Sequence, residues 1–87
     1  MAWHRAELAR LEQEQRDDLL RLLRVAFGTG VMFHAIDVWL NDDLRIACLE
    51  AGLASPRALG IALRAWRDQG IARIGVDELG ARWIWSD

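Results

Sequence analysis

The sequence predicts a mainly helical α+β domain that ends in a small β-hairpin. Three observations carry this prediction. Residues 3–27 contain neither glycine nor proline and repeat leucine at helical spacing. A segment near residue 60 has a start signal and a stop signal for a helix. From residue 71 onward, two runs rich in β-branched and tryptophan residues flank a turn, which is typical of a hairpin.

Length and composition limit what the chain can build. It has 87 residues, of which 53% are apolar and 28% are charged. A domain this small buries only somewhat over about 60% of the surface of its unfolded chain, so we expect one core. Within this single compact unit, residues 1–27 are predicted to form an amphipathic helix, and residues 31–87 the folded domain.

The same composition bears on location. The longest uncharged apolar run, residues 31–36, is far shorter than the roughly 20 residues that cross a bilayer, so we expect no membrane partner. The first ten residues carry charged side chains and no apolar segment, so we expect no secretory signal, and a lone cysteine excludes an internal disulfide. We therefore expect a cytoplasmic protein.

The first predicted element is an amphipathic helix that ends at Gly28. Its apolar positions are Leu8, Leu11, Leu19, Leu22, Leu23 and Ala26. Gln15 and Asp18 interrupt a strict heptad, which argues against an extended coiled coil. Residues 2–15 are the more polar half. Two interpretations stay open for this half: a solvated helix end, which its polarity favours, or packing against a second copy of the chain.

An extended piece and a short helix are predicted next. Residues 31–33 are apolar and follow two glycines, and residues 34–40 are predicted to form a helix that His34 caps or begins. If that helix continued to residue 51, Asp43 and Glu50 would fall on its apolar face. Burying carboxylates is costly, so we predict a break at residues 41–43.

A third helix is predicted after this break. Asn41 or Asp42 can cap its N-terminus, because each side chain has an oxygen that accepts from free backbone N–H groups. Gly52 is suited to end it. The predicted inner stripe consists of Leu44, Ala47, Cys48 and Ala51.

The fourth predicted helix has both ends marked. Ser55 is a good N-cap, Pro56 suits the first helical position and Gly70 suits the stop, so a helix is predicted over residues 56–69. Its inner face carries Leu59, Ala62, Leu63 and Trp66. Its outer face carries Arg57, Ile61, Arg64 and Asp68, with Arg67 at the flank. We expect Trp39 and Trp66 in the core.

The C-terminal hairpin is predicted from two strands, residues 71–76 and 82–86, joined by a turn over residues 77–80. Trp83 and Trp85 alternate along the second strand and therefore share one face. That face either covers the helices, which we favour, or forms an exposed surface for a protein partner.

A family resemblance lies between Phe33 and Trp85. The motifs that carry it are Asp37-Val38-Trp39, Ser55-Pro56-Arg57-Ala58-Leu59-Gly60, Ala62-Leu63-Arg64-Ala65-Trp66-Arg67, Gly70-Ile71 and the strand that ends in Trp85. This stretch resembles the small winged helix-turn-helix proteins of bacteriophages and prophages. The resemblance implies that residues 56–69 are the recognition helix and residues 77–80 the tip of the wing. Residues 1–30 lie outside it.

The resemblance implies a protein that binds duplex DNA and regulates transcription or replication. A helix of about 10–12 Å diameter fits the major groove, where arginines meet phosphates or guanine edges. The predicted DNA-binding residues are Arg57, Gly60, Ile61, Arg64, Arg67 and Arg73. Gly60 would let the DNA backbone approach closely. The alternative interpretation of this face is a solvated one, because a solvent-facing helix carries charged residues in any case.

Charge limits the DNA hypothesis. The whole chain has a net charge of −2, and only residues 55–76, with four arginines against one aspartate, are clearly positive. Asp77 and Glu78 place negative charge at the expected wing tip. Because nonspecific DNA affinity comes largely from phosphate neutralisation, a monomer is expected to bind weakly. A homodimer through the N-terminal helix or the C-terminal hairpin would double the basic contacts.

The alternative hypothesis is a protein-binding module. A small acidic winged helix of phage origin can act as an inhibitor of a host complex, such as a defence complex inhibited in an anti-CRISPR-like manner. Its acidic partner surface would consist of Asp37, Asp42, Asp43, Glu50, Asp77 and Glu78.

An enzyme, a metal site and a cofactor are not expected. One cysteine and two histidines cannot supply four zinc ligands. Asp42 and Asp43 lack further oxygen ligands at loop spacing. No nucleophile, base and orienting group can be assembled from the sequence, so we predict no catalytic residues.

Overall fold

The fold is known from a computed structural model that describes the backbone of residues 2–76 and 82–86, with side chains from residue 10 onward in those ranges. The elements are α1 (Ala2–Phe27), β1 (Met32–His34), α2 (Ala35–Trp39), α3 (Asp42–Glu50), α4 (Pro56–Asp68), β2 (Ile74–Val76) and β3 (Arg82–Trp85). The described chain is thus mainly helical with a small antiparallel sheet, which confirms the predicted α+β class.

Helix α1 buries a narrower stripe than the sequence predicts. Leu19 and Leu23 are fully buried, whereas Leu11 and Leu22 are more than 40% exposed. The reason is length: 26 residues extend for about 39 Å, and the helix packs on α3 mainly through its second half. The side chains of residues 10–14 are all exposed, as expected for a projecting helix end.

Helices α2 and α3 are separated as predicted. Asn41, not Asp42, caps α3, because its side-chain oxygen accepts a hydrogen bond from the Leu44 backbone N–H at 3.1 Å. His34 is the N-cap residue of α2, and its N–H donates to the Asp37 carboxylate at 2.8 Å. The predicted inner stripe of α3 is confirmed: Leu44, Ala47 and Cys48 are buried and Ala51 packs beside them.

Helix α4 begins and ends at the predicted signals. The Ser55 hydroxyl accepts from the Ala58 N–H at 3.1 Å, and Pro56 occupies the first turn. Gly70 has a φ of +75°, a conformation that side chains with a Cβ disfavour. Leu59 and Leu63 are fully buried, so the predicted inner face is the packed one.

The sheet has three strands where the sequence predicts a two-stranded hairpin. Its order is β1-β3-β2, and both pairs are antiparallel. Strand β2 begins at Ile74, not at Ile71. The reason is that the N–H groups of Ile71 and Ala72 both donate to the Trp66 carbonyl, at 2.8 and 3.3 Å, and so belong to the end of α4.

The inner face of the sheet closes the core. Phe33 lies opposite Trp83 in the register, and Ile74 lies opposite Trp85. All four side chains are buried, which confirms the core interpretation of the two tryptophans. Phe33 also stacks on Phe27 of α1, with ring centroids 4.3 Å apart. Trp39 and Trp66 are less buried than predicted: they are partly buried and pack against the core from its edge.

Candidate nucleic-acid interface

The outer face of α4 presents two exposed arginines on one line. Arg57 and Arg64 lie seven residues apart, which places them about 10.5 Å apart along the helix axis and about 20° apart around it. Ile61 lies between them and is 63% exposed. The inner face of α4 is held by fully buried leucines, so the orientation of the outer face is fixed by the core.

A shallow groove of about 580 Å³ runs beside this face. From α4 it is lined by Arg57, Gly60, Ile61 and Arg64, four of the six residues that the sequence predicts for DNA binding. The rest of the lining consists of Pro56, Ala65 and Asp68 of α4, Ala35 of α2 and Trp83 of β3. A Cβ at Gly60 would lie 4.0 Å from Cζ2 of Trp83, so this part of α4 lies against the Trp83 side chain.

Within residues 10–76 and 82–86, five arginines are held in ion pairs, whereas Arg57 and Arg64 of this face are not, a property that they share with Arg24 and Arg73. Five ion pairs join Arg10 to Glu14, Arg16 to Asp17, Arg21 to Asp18, Arg45 to Asp42 and Arg67 to Asp68. Arg57 and Arg64 belong to no ion pair within residues 10–76 and 82–86. Each therefore offers an uncompensated guanidinium with five N–H donors.

Arg67 is placed differently from the prediction. Its Nε and Nη2 atoms both donate to one oxygen of Asp68, at 3.1 and 3.0 Å, and its side chain is one-third exposed. Arg67 does not line the groove, although Asp68 does. The pair neutralises the carboxylate nearest to the C-terminal end of the basic face. Arg67 and Asp68 are adjacent in the sequence, which is the feature from which their ion pair could have been predicted.

Arg73 lies away from the α4 groove. It lines a second groove together with Arg24, Val25, Ile71 and Trp85, between α1 and the segment before β2. Its own carbonyl accepts from the N–H and the hydroxyl of Ser86, at 3.0 and 3.2 Å. That Arg24 and Arg73 line the same groove was not predicted, because 49 positions separate them and no local pattern connects them.

The residues of the predicted acidic surface differ in their partners and positions. Asp37 holds the N–H of His34, and Asp42 pairs with Arg45 at 2.8 Å. Asp43 and Glu50 are exposed on α3, which packs on α1 and α2. Asp77 and Glu78 fall outside the described residues, so the wing tip and its charge stay predictions.

Neither the cysteine nor the acidic residues form a reactive or metal site in the described ranges. Cys48 is fully buried, and burial raises the pKa of its thiol to about 11, which keeps it protonated. Within these ranges no three His, Cys, Asp or Glu side chains come together as metal ligands. The helices described here include none with the length and apolar character needed to span a membrane.

Comparison with known proteins adds no relative. No family model, curated protein or solved structure matches the chain. The function is therefore inferred from the arrangement of side chains on α4.

Proposed function

We propose that the chain is a winged helix-turn-helix protein that binds duplex DNA through α4 and acts as a regulator of transcription or replication. The observation that carries the proposal is the pair Arg57 and Arg64, exposed, unpaired among the described residues and aligned on one helix face. Guanidinium groups in this arrangement suit phosphates or guanine edges in a major groove.

The order of elements supports the winged-helix assignment. Helices α3 and α4, joined by residues 51–55, supply the helix-turn-helix, and the antiparallel pair β2 and β3 supplies the strands of the wing. Strand β1 adds to the same sheet through β3. This arrangement holds α4 against the sheet on one side and leaves its arginine face open.

The distribution of acids also favours DNA over a basic protein partner. Asp68, the carboxylate in the α4 groove, is neutralised by Arg67. Asp42 is neutralised by Arg45, and the exposed Asp43 and Glu50 lie on a different helix from the free arginines. The basic face thus keeps its local charge although the chain is acidic overall.

Two phosphate contacts predict weak binding that depends on salt. Each neutralised phosphate contributes about 0.9 to the slope of log affinity against log salt. Arg57→Ala/Arg64→Ala is therefore expected to lower the slope by about 1.8. The ratio of the native affinity to the variant affinity should then fall about ten-fold between roughly 50 and 200 mM salt.

The test is fluorescence anisotropy with a mixed-sequence duplex over this salt range. Arg10→Ala/Arg16→Ala is the matched control, because it removes the same charge from ion-paired arginines on α1. We expect the control to keep most of the native affinity and slope. Equal binding by the native protein and Arg57→Ala/Arg64→Ala would overturn the assignment. No binding by the native protein at the lowest salt would exclude duplex DNA as a general ligand and favour the protein-binding alternative.

A further inference from the structure

Helix α1 carries a second apolar stripe that the fold leaves uncovered. Leu11, Leu22 and Val25 are 44%, 42% and 79% exposed. Together with Gln15 and Asp18 they recur at alternating spacings of four and three residues, the pattern of a coiled-coil seam. This stripe is distinct from the buried one, which is centred on Leu19 and Leu23.

We propose that this stripe binds the same stripe of a second copy of the chain, with the two helices antiparallel. A two-fold axis between residues 16 and 17 places Leu11 opposite Leu22 of the partner subunit. The same axis places Gln15 opposite Asp18 of the partner subunit, and Val25 opposite position 8, which is a leucine in the sequence. Each contact occurs twice, as in any isologous interface.

The polar seam residues Gln15 and Asp18 favour one alignment of the two helices. In this arrangement the Gln15 amide can donate to the carboxylate of Asp18 of the partner subunit, and the reciprocal pair forms on the other side of the axis. A polar layer in an apolar seam weakens association but selects one alignment. The interruption at Gln15 and Asp18, which opposes an extended coiled coil, is thus compatible with a short antiparallel one.

Charge complementarity supports the antiparallel orientation. Glu14 and Arg21 each precede a seam residue by one position and therefore flank the seam. In the antiparallel pair Glu14 lies near Arg21 of the partner subunit, and both side chains are largely exposed. Arg21 contacts Asp18 of its own chain, which keeps its guanidinium on the seam side of the helix. A parallel pair would instead place the two Asp18 carboxylates against each other, and like charges at that distance repel.

The neighbouring helix leaves room for the second copy. A groove of about 290 Å³ between α1 and α3 is lined by Gln15, Asp18 and Leu22 on one side and by Ala47 and Glu50 on the other. The groove is too small for a helix of about 10 Å diameter, but side chains of a partner helix seated on the seam would extend into it. The projecting half of α1, with residues 10–14 exposed, would gain a packing surface on the partner. The proposal does not depend on DNA binding by α4.

Disulfide trapping tests the alignment. Leu11→Cys and Leu22→Cys are prepared as separate proteins, mixed and oxidised, and the products are separated on a non-reducing gel. We expect a covalent heterodimer from the mixture and none from either variant alone, because positions 11 of the two copies lie about 16 Å apart along the axis and a disulfide needs Cα atoms within about 7 Å. Native Cys48 is fully buried, so the native protein serves as the background control.

Sedimentation equilibrium over a wide concentration range tests the dimer itself. The native protein is expected to approach twice the monomer mass, Leu22→Glu to remain monomeric, and Leu40→Glu to behave like the native protein. Leu40 is the matched control because it is 76% exposed at the C-cap of α2, on a different element from the seam. A monomeric native protein at all concentrations would overturn the proposal. So would efficient cross-linking of Leu11→Cys with itself, or a mixture that yields no heterodimer.

Discussion

Replacing Gly60 with alanine tests both the packing of α4 and the role of its outer face. Glycine inside a helix costs roughly 0.5–1 kcal/mol relative to alanine, because the unfolded chain loses more freedom. The new Cβ would lie 4.0 Å from Cζ2 of Trp83, an ordinary van der Waals contact, so no clash offsets this gain. We therefore expect Gly60→Ala to raise the free energy of unfolding by about 0.5–1 kcal/mol and Tm by roughly 2–8 °C.

Gly70→Ala is a control for which we expect the opposite change in stability. Gly70 has a φ of +75°, so alanine there is strained by about 1–2 kcal/mol and should lower Tm. Thermal and urea unfolding of the native protein and both variants measures the two effects. Destabilisation by about 1 kcal/mol or more in Gly60→Ala would mean that α4 and Trp83 are too close for a methyl group, which would refute the prediction.

Gly60→Ala also tests how closely α4 approaches DNA. The added methyl group would stand beside Trp83 in the groove that Arg57 and Arg64 also line, where the proposed DNA backbone approaches. We expect Gly60→Ala to bind duplex DNA more weakly than the native protein although it is more stable. Unchanged affinity in the anisotropy assay would refute the idea that Gly60 is needed for close approach.

Two further predictions concern the interior and a helix end. Burial raises the pKa of the Cys48 thiol from 9.0 to about 11, so the unfolded state loses this proton at lower pH than the native state does. The native protein should therefore lose stability between about pH 9 and 11. Urea unfolding below and above this range should show a smaller loss for Cys48→Ala, and equal losses in the two proteins would contradict the prediction. Ser55→Ala removes the hydroxyl that accepts from the Ala58 N–H and should cost about 1 kcal/mol, whereas Ser55→Asp keeps a capping oxygen and most of the stability. Equal destabilisation by both Ser55 variants would exclude capping as the cause.

Part of the candidate site was predictable from local sequence. The spacing of Arg57, Ile61 and Arg64 on one helix already places them on the outer face, and the structure has all three exposed beside one groove. The pairing of Arg67 with Asp68 changes which arginines are free, and it depends on side-chain geometry that spacing does not give. The separation of Arg73 from the others depends on the path of the chain after α4.

The local sequence defines where α3 and α4 begin and end and which of their stripes face inward. These features follow from capping hydrogen bonds and helical periodicity, which act over three or four residues. It also determined the shared face of Trp83 and Trp85, because side chains alternate along any strand. Such local rules operate before any distant contact forms.

Tertiary packing, in contrast, selects which leucines of α1 are buried and which strands pair. The helix offers two apolar stripes, and the position of α3 selects the one with Leu19 and Leu23. Strand β1 joins β3 across about 50 residues of chain, a contact that no local pattern encodes. The physical reason is the same in both cases: burial depends on which surfaces meet, and those surfaces belong to segments far apart in the sequence.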